Sequence, residues 1–166
     1  NEILEFVELT DRADDKSRRY SGGMKRRLMI GMALLHKPKM LFLDEPTVGL
    51  DPQVRRKMWD LIRKMNEAGM TVLLTTHYIE EADQLCRRVA IMNRGRIIAV
   101  DTPQKLKEKV GRVVVEHMEA DGMINNFFDN REQAASYVAG LDSNATVREA
   151  NLEDVFIELT GRRVND

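Results

Sequence analysis

The sequence predicts an α/β fold: a largely parallel sheet with flanking helices, followed by a small α+β appendage. Two apolar runs of strand length, Met40–Leu43 and Thr71–Thr75, do not alternate with polar residues, as expected of parallel strands covered on both faces. Segments with helical punctuation alternate with these runs through residue 87, which argues for strand–helix crossover units. The composition then shifts near Gly111, dividing the 166 residues into 1–110 and an accessory region 111–166.

Each element has a local cause. Ile3, Leu4, Phe6 and Val7 have helical spacing, and the polar stretch Thr10–Arg19 reads as a loop. Ser21 opens a helix whose apolar positions are Leu28, Met29, Met32, Ala33 and Leu35, ending before Pro38. Asp51 as N-cap, Pro52 at the first position and Gly69 as the stop define a helix over Pro52–Ala68. Ile79–Arg87 is a short helix, acidic and then basic. Val89–Met92 and Arg96–Val100 flank Asn93-Arg94-Gly95, a hairpin signal, and Thr102-Pro103 caps a helix running to Val110. Beyond Gly111, Val113–Val115 and Thr146–Arg148 read as strands and Arg131–Ala139 as a helix. Asn151 with Asp154 resembles a capping box for a helix over Leu152–Thr160.

Composition narrows the function. Apolar residues at 43% and charged residues at 32% are an ordinary globular balance. A net charge of −1 provides no electrostatic footprint for nucleic acid. Apolar runs such as Val72–Leu74 and Ile97–Val100 fall far short of the roughly 18 residues a membrane span needs, so a membrane partner is expected to be another chain or segment. The single Cys86 excludes an internal disulfide, fits a reducing compartment, and beside Ala82 and Leu85 reads as core packing. A start at Asn1 rather than Met leads to the expectation of a longer parent chain.

Three short segments carry chemistry. Ser21-Gly22-Gly23 precedes a helix, where first-turn N–H groups and the helix dipole attract an anion and glycine lets a phosphate approach the backbone. A capped helix after a flexible turn explains the same residues. Lys25, Arg26 and Arg27 oppose that dipole, which fits a nearby polyanion or acidic partner, or simply a solvated basic face. Asp44-Glu45 ends a buried strand, where open α/β sheets bind ligands. Asp44 suits Mg²⁺ as a hard oxygen ligand, and Glu45 suits orienting or deprotonating a water. The competing reading is a strand ending in two solvated acids. Asp51 has its own explanation as an N-cap. His77 follows the Thr71–Thr75 strand and so falls at the same sheet edge as Glu45, whereas His36 and His117 lack any such context.

Taken together, these residues resemble the nucleotide-binding domain of ATP-binding-cassette (ABC) proteins, members of the P-loop NTPase class. Tyr20-Ser21-Gly22-Gly23-Met24 is similar to the family signature motif, usually Leu-Ser-Gly-Gly-Gln. Leu41–Glu45 is similar to the Walker B strand, Gly49-Leu50-Asp51 to the D-loop and His77 to the switch histidine. The resemblance implies that Ser21, Gly22 and Gly23 act on ATP held by a second ABC ATPase subunit. It implies that Asp44 serves Mg²⁺, with Glu45 and His77 as catalytic residues and Asp51 at the nucleotide interface. The form S-G-G-M-K-R-R-L and the segment Leu152–Gly161 resemble the bacterial drug- and polysaccharide-exporter branch, implying a transmembrane permease partner and a cytoplasmic position at the inner face of the membrane. A soluble non-transport ABC ATPase and a non-catalytic dimerisation module are the alternatives. The sequence has no G-x-x-x-x-G-K-[ST] phosphate loop, which the family places upstream. The two apolar strands are expected to lack part of their cover in this piece, making it self-associate.

The 166-residue chain by itself is expected neither to bind Mg-ATP tightly nor to hydrolyse it, because phosphate-loop N–H groups and a lysine supply most phosphate contacts in such sites. Calorimetric titration is the check, and micromolar affinity would refute the expectation.

Overall fold

The structure, a computed structural model, describes residues 2–119, 122–141 and 143–161. They form two compact units divided between His77 and Tyr78.

The first unit contains α1 (Glu2–Phe6), two single 3₁₀ turns, α2 (Gly22–Leu34), β1 (Met40–Asp44), α3 (Pro52–Glu67) and β2 (Thr71–Thr75). The turns, Thr10–Arg12 and Ser17–Arg19, shape the expected loop, and the Tyr20 hydroxyl ties it down by donating to the Arg12 carbonyl at 2.6 Å. Helix α3 buries Met58, Trp59, Leu61, Ile62 and Met65, spacings that put one apolar stripe on the helix. Its start follows the sequence: Asp51 Oδ1 accepts from the Val54 N–H at 3.0 Å, with Pro52 in the first turn.

Strands β1 and β2 pair in parallel, from Met40 opposite Thr71 to Asp44 opposite Thr75. Their apolar character calls for cover on both faces, part of which was expected to be lacking in this piece, and the structure agrees. Leu41, Leu43, Val72 and Leu74 are half-buried, whereas Phe42 is 68% and Leu73 48% exposed. Packing against α3 shields one side of the pair, and the side bearing Phe42 and Leu73 is open among the described residues. On α2 and at its C-cap, Met29, Met32 and Leu35 are exposed as well.

The second unit contains α4 (Ile79–Leu85), the hairpin β3 (Val89–Asn93) and β4 (Arg96–Asp101), α5 (Pro103–Glu108), β5 (Val113–Glu119), β6 (Gly122–Phe128), α6 (Arg131–Val138), β7 (Ala145–Glu149) and α7 (Leu152–Thr160). Arg94 and Gly95 turn the hairpin with φ of 48° and 75°, the paired positive values of a tight two-residue turn. Strands β6, β5 and β7 form an antiparallel sheet in that order. Val113 and Val115 pack with Ala134 of α6, against Phe128, Tyr137 and Val138.

Leu152 and Val155 of α7 share one core with Ile91 and Leu106, so the last helix packs on elements from the other side of Gly111. Arg148 fastens that helix to the sheet. It donates to both Asp154 oxygens at 2.7 and 2.8 Å and to Glu116 Oε1 at 2.7 Å, and the bonds to Asp154 foremost hold its proton more tightly than usual. The Asn151–Asp154 capping box forms as the sequence suggested. Strand β6 was not evident, because Asn125-Asn126 breaks its alternation and asparagine disfavours strands. Asn126 is accommodated by a buried polar cluster: its amide lies 3.0 Å from His117 Nε2 and 3.1 Å from the Tyr137 hydroxyl. Cys86 ends α4 half-buried, its thiol pushed up first by burial and then by Glu81.

Gly23 and Gly22 differ sharply in surroundings. A Cβ at Gly23 would collide with Val54 Cγ1, whereas one at Gly22 meets nothing within 4 Å. Gly23→Ala is therefore expected to destabilise the first unit by about 1–3 kcal/mol through overpacking, and Gly22→Ala by less than about 0.5 kcal/mol. Urea unfolding measures both, and pairing Gly23→Ala with Val54→Ala should recover most of the loss. Exposed Phe42, Leu73, Met29, Met32 and Leu35 lead to a second expectation, that the 19.1 kDa chain self-associates. Light scattering on dilute protein tests it, and a stable monomer would contradict it.

Candidate functional site

The carboxyl end of β1 brings together residues that the sequence lists far apart. Pairing with β2 continues one step beyond Asp44, because the Glu45 N–H donates to the Thr75 carbonyl at 3.0 Å. Glu45 then turns into the left-handed region, with φ of 47°. For a residue with a side chain this costs about 1–2 kcal/mol, so neighbouring contacts must hold it. The turn aims its carboxylate at the chain leaving β2: Glu45 Oε2 lies 3.0 Å from His77 Nδ1 and 3.4 Å from the His77 backbone nitrogen. Side-chain exposures of 35% for Glu45 and 58% for His77 leave both accessible from outside. Asp44 stands beside them, with Oδ1 accepting from the Thr75 hydroxyl.

Helix α2 supplies the second group. Ser21 is its N-cap, with Oγ accepting from the Met24 N–H at 3.2 Å. Accepting leaves the hydroxyl proton for donation elsewhere. Gly22 lies exposed, with open space where a side chain would be, whereas Gly23 is buried against Val54 and Leu50. The absence of a side chain at 23 is thus explained by helix packing, and only position 22 leaves room for another molecule. Asp51 is exposed and caps α3, so its N-cap reading holds.

Two of the three cations after Gly23 do not face outward as a basic surface. Arg26 Nη1 donates to the Glu45 carbonyl. Arg27 Nη1 donates to the carbonyls of Val7 and Glu8 at 3.2 and 3.3 Å and to Glu8 Oε2 at 3.2 Å. Their charge is spent on helix and loop ends within the unit, and Lys25 remains the exposed one. The sequence reading took Arg26 for one of a set of cations and missed Thr75 as part of this site. Their roles had no local signal, since each acts on a residue about 20 or 30 positions away that only the tertiary structure brings near.

No helix among the described residues is long and apolar enough to cross a membrane.

A family model described as ABC transporter matches residues 1–48. The chain is 38% identical to the linearmycin resistance ATP-binding protein LnrL of Bacillus subtilis, over 99% of this chain and 63% of that protein. It is 42% identical to the Nod factor export ATP-binding protein I of Burkholderia thailandensis, over 99% of this chain and 61% of that protein. The chain therefore spans a little over three-fifths of the length of these relatives. Among solved structures, a nucleotide-free ATP-binding cassette from an ABC transporter matches at a TM-score of 0.60 and 29% identity, covering 64% of this chain and 42% of that one. Another ATP-binding cassette, in its ADP conformation, matches at 0.59 and 30% identity, covering 63% and 41%. The chain is thus similar to ABC transporter ATP-binding proteins along nearly its whole length, and its fold is that of part of an ATP-binding cassette, of the P-loop NTPase type.

Proposed function

We propose that the whole protein containing these residues is the ATP-binding and hydrolysing subunit of an ABC exporter. The observation that carries this reading is the 3.0 Å contact between the Glu45 carboxylate and His77 Nδ1, beside Asp44 at the end of β1. A carboxylate oriented by an imidazole and open to solvent is suited to accept a proton from an attacking water. His77, once relieved of that contact, can donate to a phosphate oxygen. Ser21 and Gly22 offer a hydroxyl and open backbone at a helix N-terminus, suited to a phosphate brought by a second cassette. Asp51 lies at the start of the neighbouring helix, on the same proposed interface.

The donor chemistry fits Mg²⁺. Asp44 presents a hard carboxylate whose Oδ1 is steadied by Thr75, leaving Oδ2 for an outside ligand. Among the described residues no group of three or more His, Cys, Asp or Glu could hold a metal ion. In nucleotide sites Mg²⁺ is commonly held by one or two carboxylates, waters and substrate phosphates rather than by a protein cage. When bound, Mg²⁺ would neutralise charge developing on the phosphates. The names of the curated relatives, which refer to linearmycin resistance and Nod factor export, support an exporter. In this reading the protein pairs with a second ATPase subunit and a transmembrane permease, on the cytoplasmic face of the membrane. Residues 1–110 then supply the cassette machinery, and residues 111–166 an accessory region.

In the whole protein, Glu45→Gln is expected to lower ATP turnover by about 10²-fold or more while leaving ATP affinity nearly intact, the scale of losing a positioned base. Steady-state hydrolysis alongside nucleotide binding measures it, and the variant should accumulate as an ATP-bound dimer. Near wild-type turnover would remove Glu45 from the role.

A further inference from the structure

We infer that Arg26 is a positioning residue for ATP hydrolysis, holding the backbone of Glu45 so that its carboxylate stays on the water-activating side. The inference rests on the reading of Glu45 given above. Its basis is that both peptide groups of Glu45 are pinned. The N–H is held by the Thr75 carbonyl at 3.0 Å, and the carbonyl accepts from the Val48 N–H at 3.3 Å and from Arg26 Nη1. A carbonyl oxygen has two lone pairs, and these two donors occupy them. The guanidinium is the charged and therefore stronger donor of the pair.

This pinning acts on a residue at φ of 47°, a conformation that persists only where surroundings over-determine it. Without the Arg26 donor, the carbonyl keeps one backbone partner and the segment 45–48 can relax. The carboxylate would then swing away from His77 Nδ1. Arg26 lies on the same helix face as Gly22 and Gly23, being four and three residues further on. That face also meets the chain after β1 a second time, with Gly23 against Leu50 and Val54. The helix that begins at Ser21 is thus fastened at two places to the segment that begins at Glu45. A phosphate engaged at Ser21 and Gly22 and the carboxylate of Glu45 therefore share one rigid support within a single chain.

The test compares Arg26→Met, Arg26→Gln and Arg26→Lys with wild type in the whole ATPase. Met keeps the stem and removes the donor, Gln is too short to reach the Glu45 carbonyl, and Lys restores a donor of similar reach. Arg26→Met and Arg26→Gln should lower kcat by about tenfold or more with ATP affinity within about twofold of wild type, the signature of misplaced chemistry rather than lost binding. Arg26→Lys should recover most of the loss, and melting temperatures should change little. Unchanged kcat in either donor-free variant overturns the inference. So does a parallel fall in kcat, affinity and melting temperature, which marks a merely structural role. Glu45→Gln in the same assay separates the two layers. If it abolishes turnover while Arg26→Met does not, only the role of Arg26 falls. If it turns over normally, the reading of Glu45 fails and the inference falls with it.

Discussion

The site depends on the register of one parallel strand pair. Asp44 stands opposite Thr75, and the next hydrogen bond, from Glu45 N–H to the Thr75 carbonyl, extends the ladder past the end of β1. Shifting this pairing by one residue would turn Leu41 and Leu43 to the open face and send the Asp44 carboxylate away from the Thr75 hydroxyl. It would also separate Glu45 from His77, which is reached only because β2 ends two residues before the histidine. The register is held by α3, whose buried stripe lies in the chain between the two strands and packs on β2. Helix packing and site geometry are thus one constraint seen at two places.

The second unit is held by a different logic. Its final helix is not an addition at the periphery, since Leu152 and Val155 complete the core begun by Ile91 and Leu106. Polar contacts then set orientation. The bidentate grip of Arg148 on Asp154, with Glu116 behind, fixes how α7 leaves the sheet, and a planar fork has a directionality that apolar contacts lack. The His117–Asn126–Tyr137 cluster performs a similar task on the other side of β5.

Most elements of the chain were legible because their ends are written locally. Asp51-Pro52, Thr102-Pro103 and Asn151 with Asp154 each cap the helix they announce, and Arg94-Gly95 turns the hairpin. Strand β6 was not legible, because its two asparagines are stabilised by partners on β5 and α6 rather than by any local preference. The open face of β1 and β2 was legible as a lack of cover, because a continuous apolar run reports what a strand prefers to touch; which residues it leaves exposed, Phe42 and Leu73, needed the register. At the site, residue types at strand ends pointed to Asp44, Glu45 and His77. Arg26 was misjudged, since a cation near a helix start looks like a lure for anions until its carbonyl partner is known.

Cys86 gives the molecule a built-in clock. As the one thiol in the sequence, half-buried and inclined to keep its proton, it is a poor nucleophile while the end of α4 stays closed. Alkylation is then slow in the folded chain and quickens when that helix end frays, with no competing signal from another cysteine. The same raised thiol adds stability that is intact below the unfolded thiol's ordinary range and is lost as pH climbs through the folded value. Alkaline solution should therefore loosen the second unit and quicken the clock together.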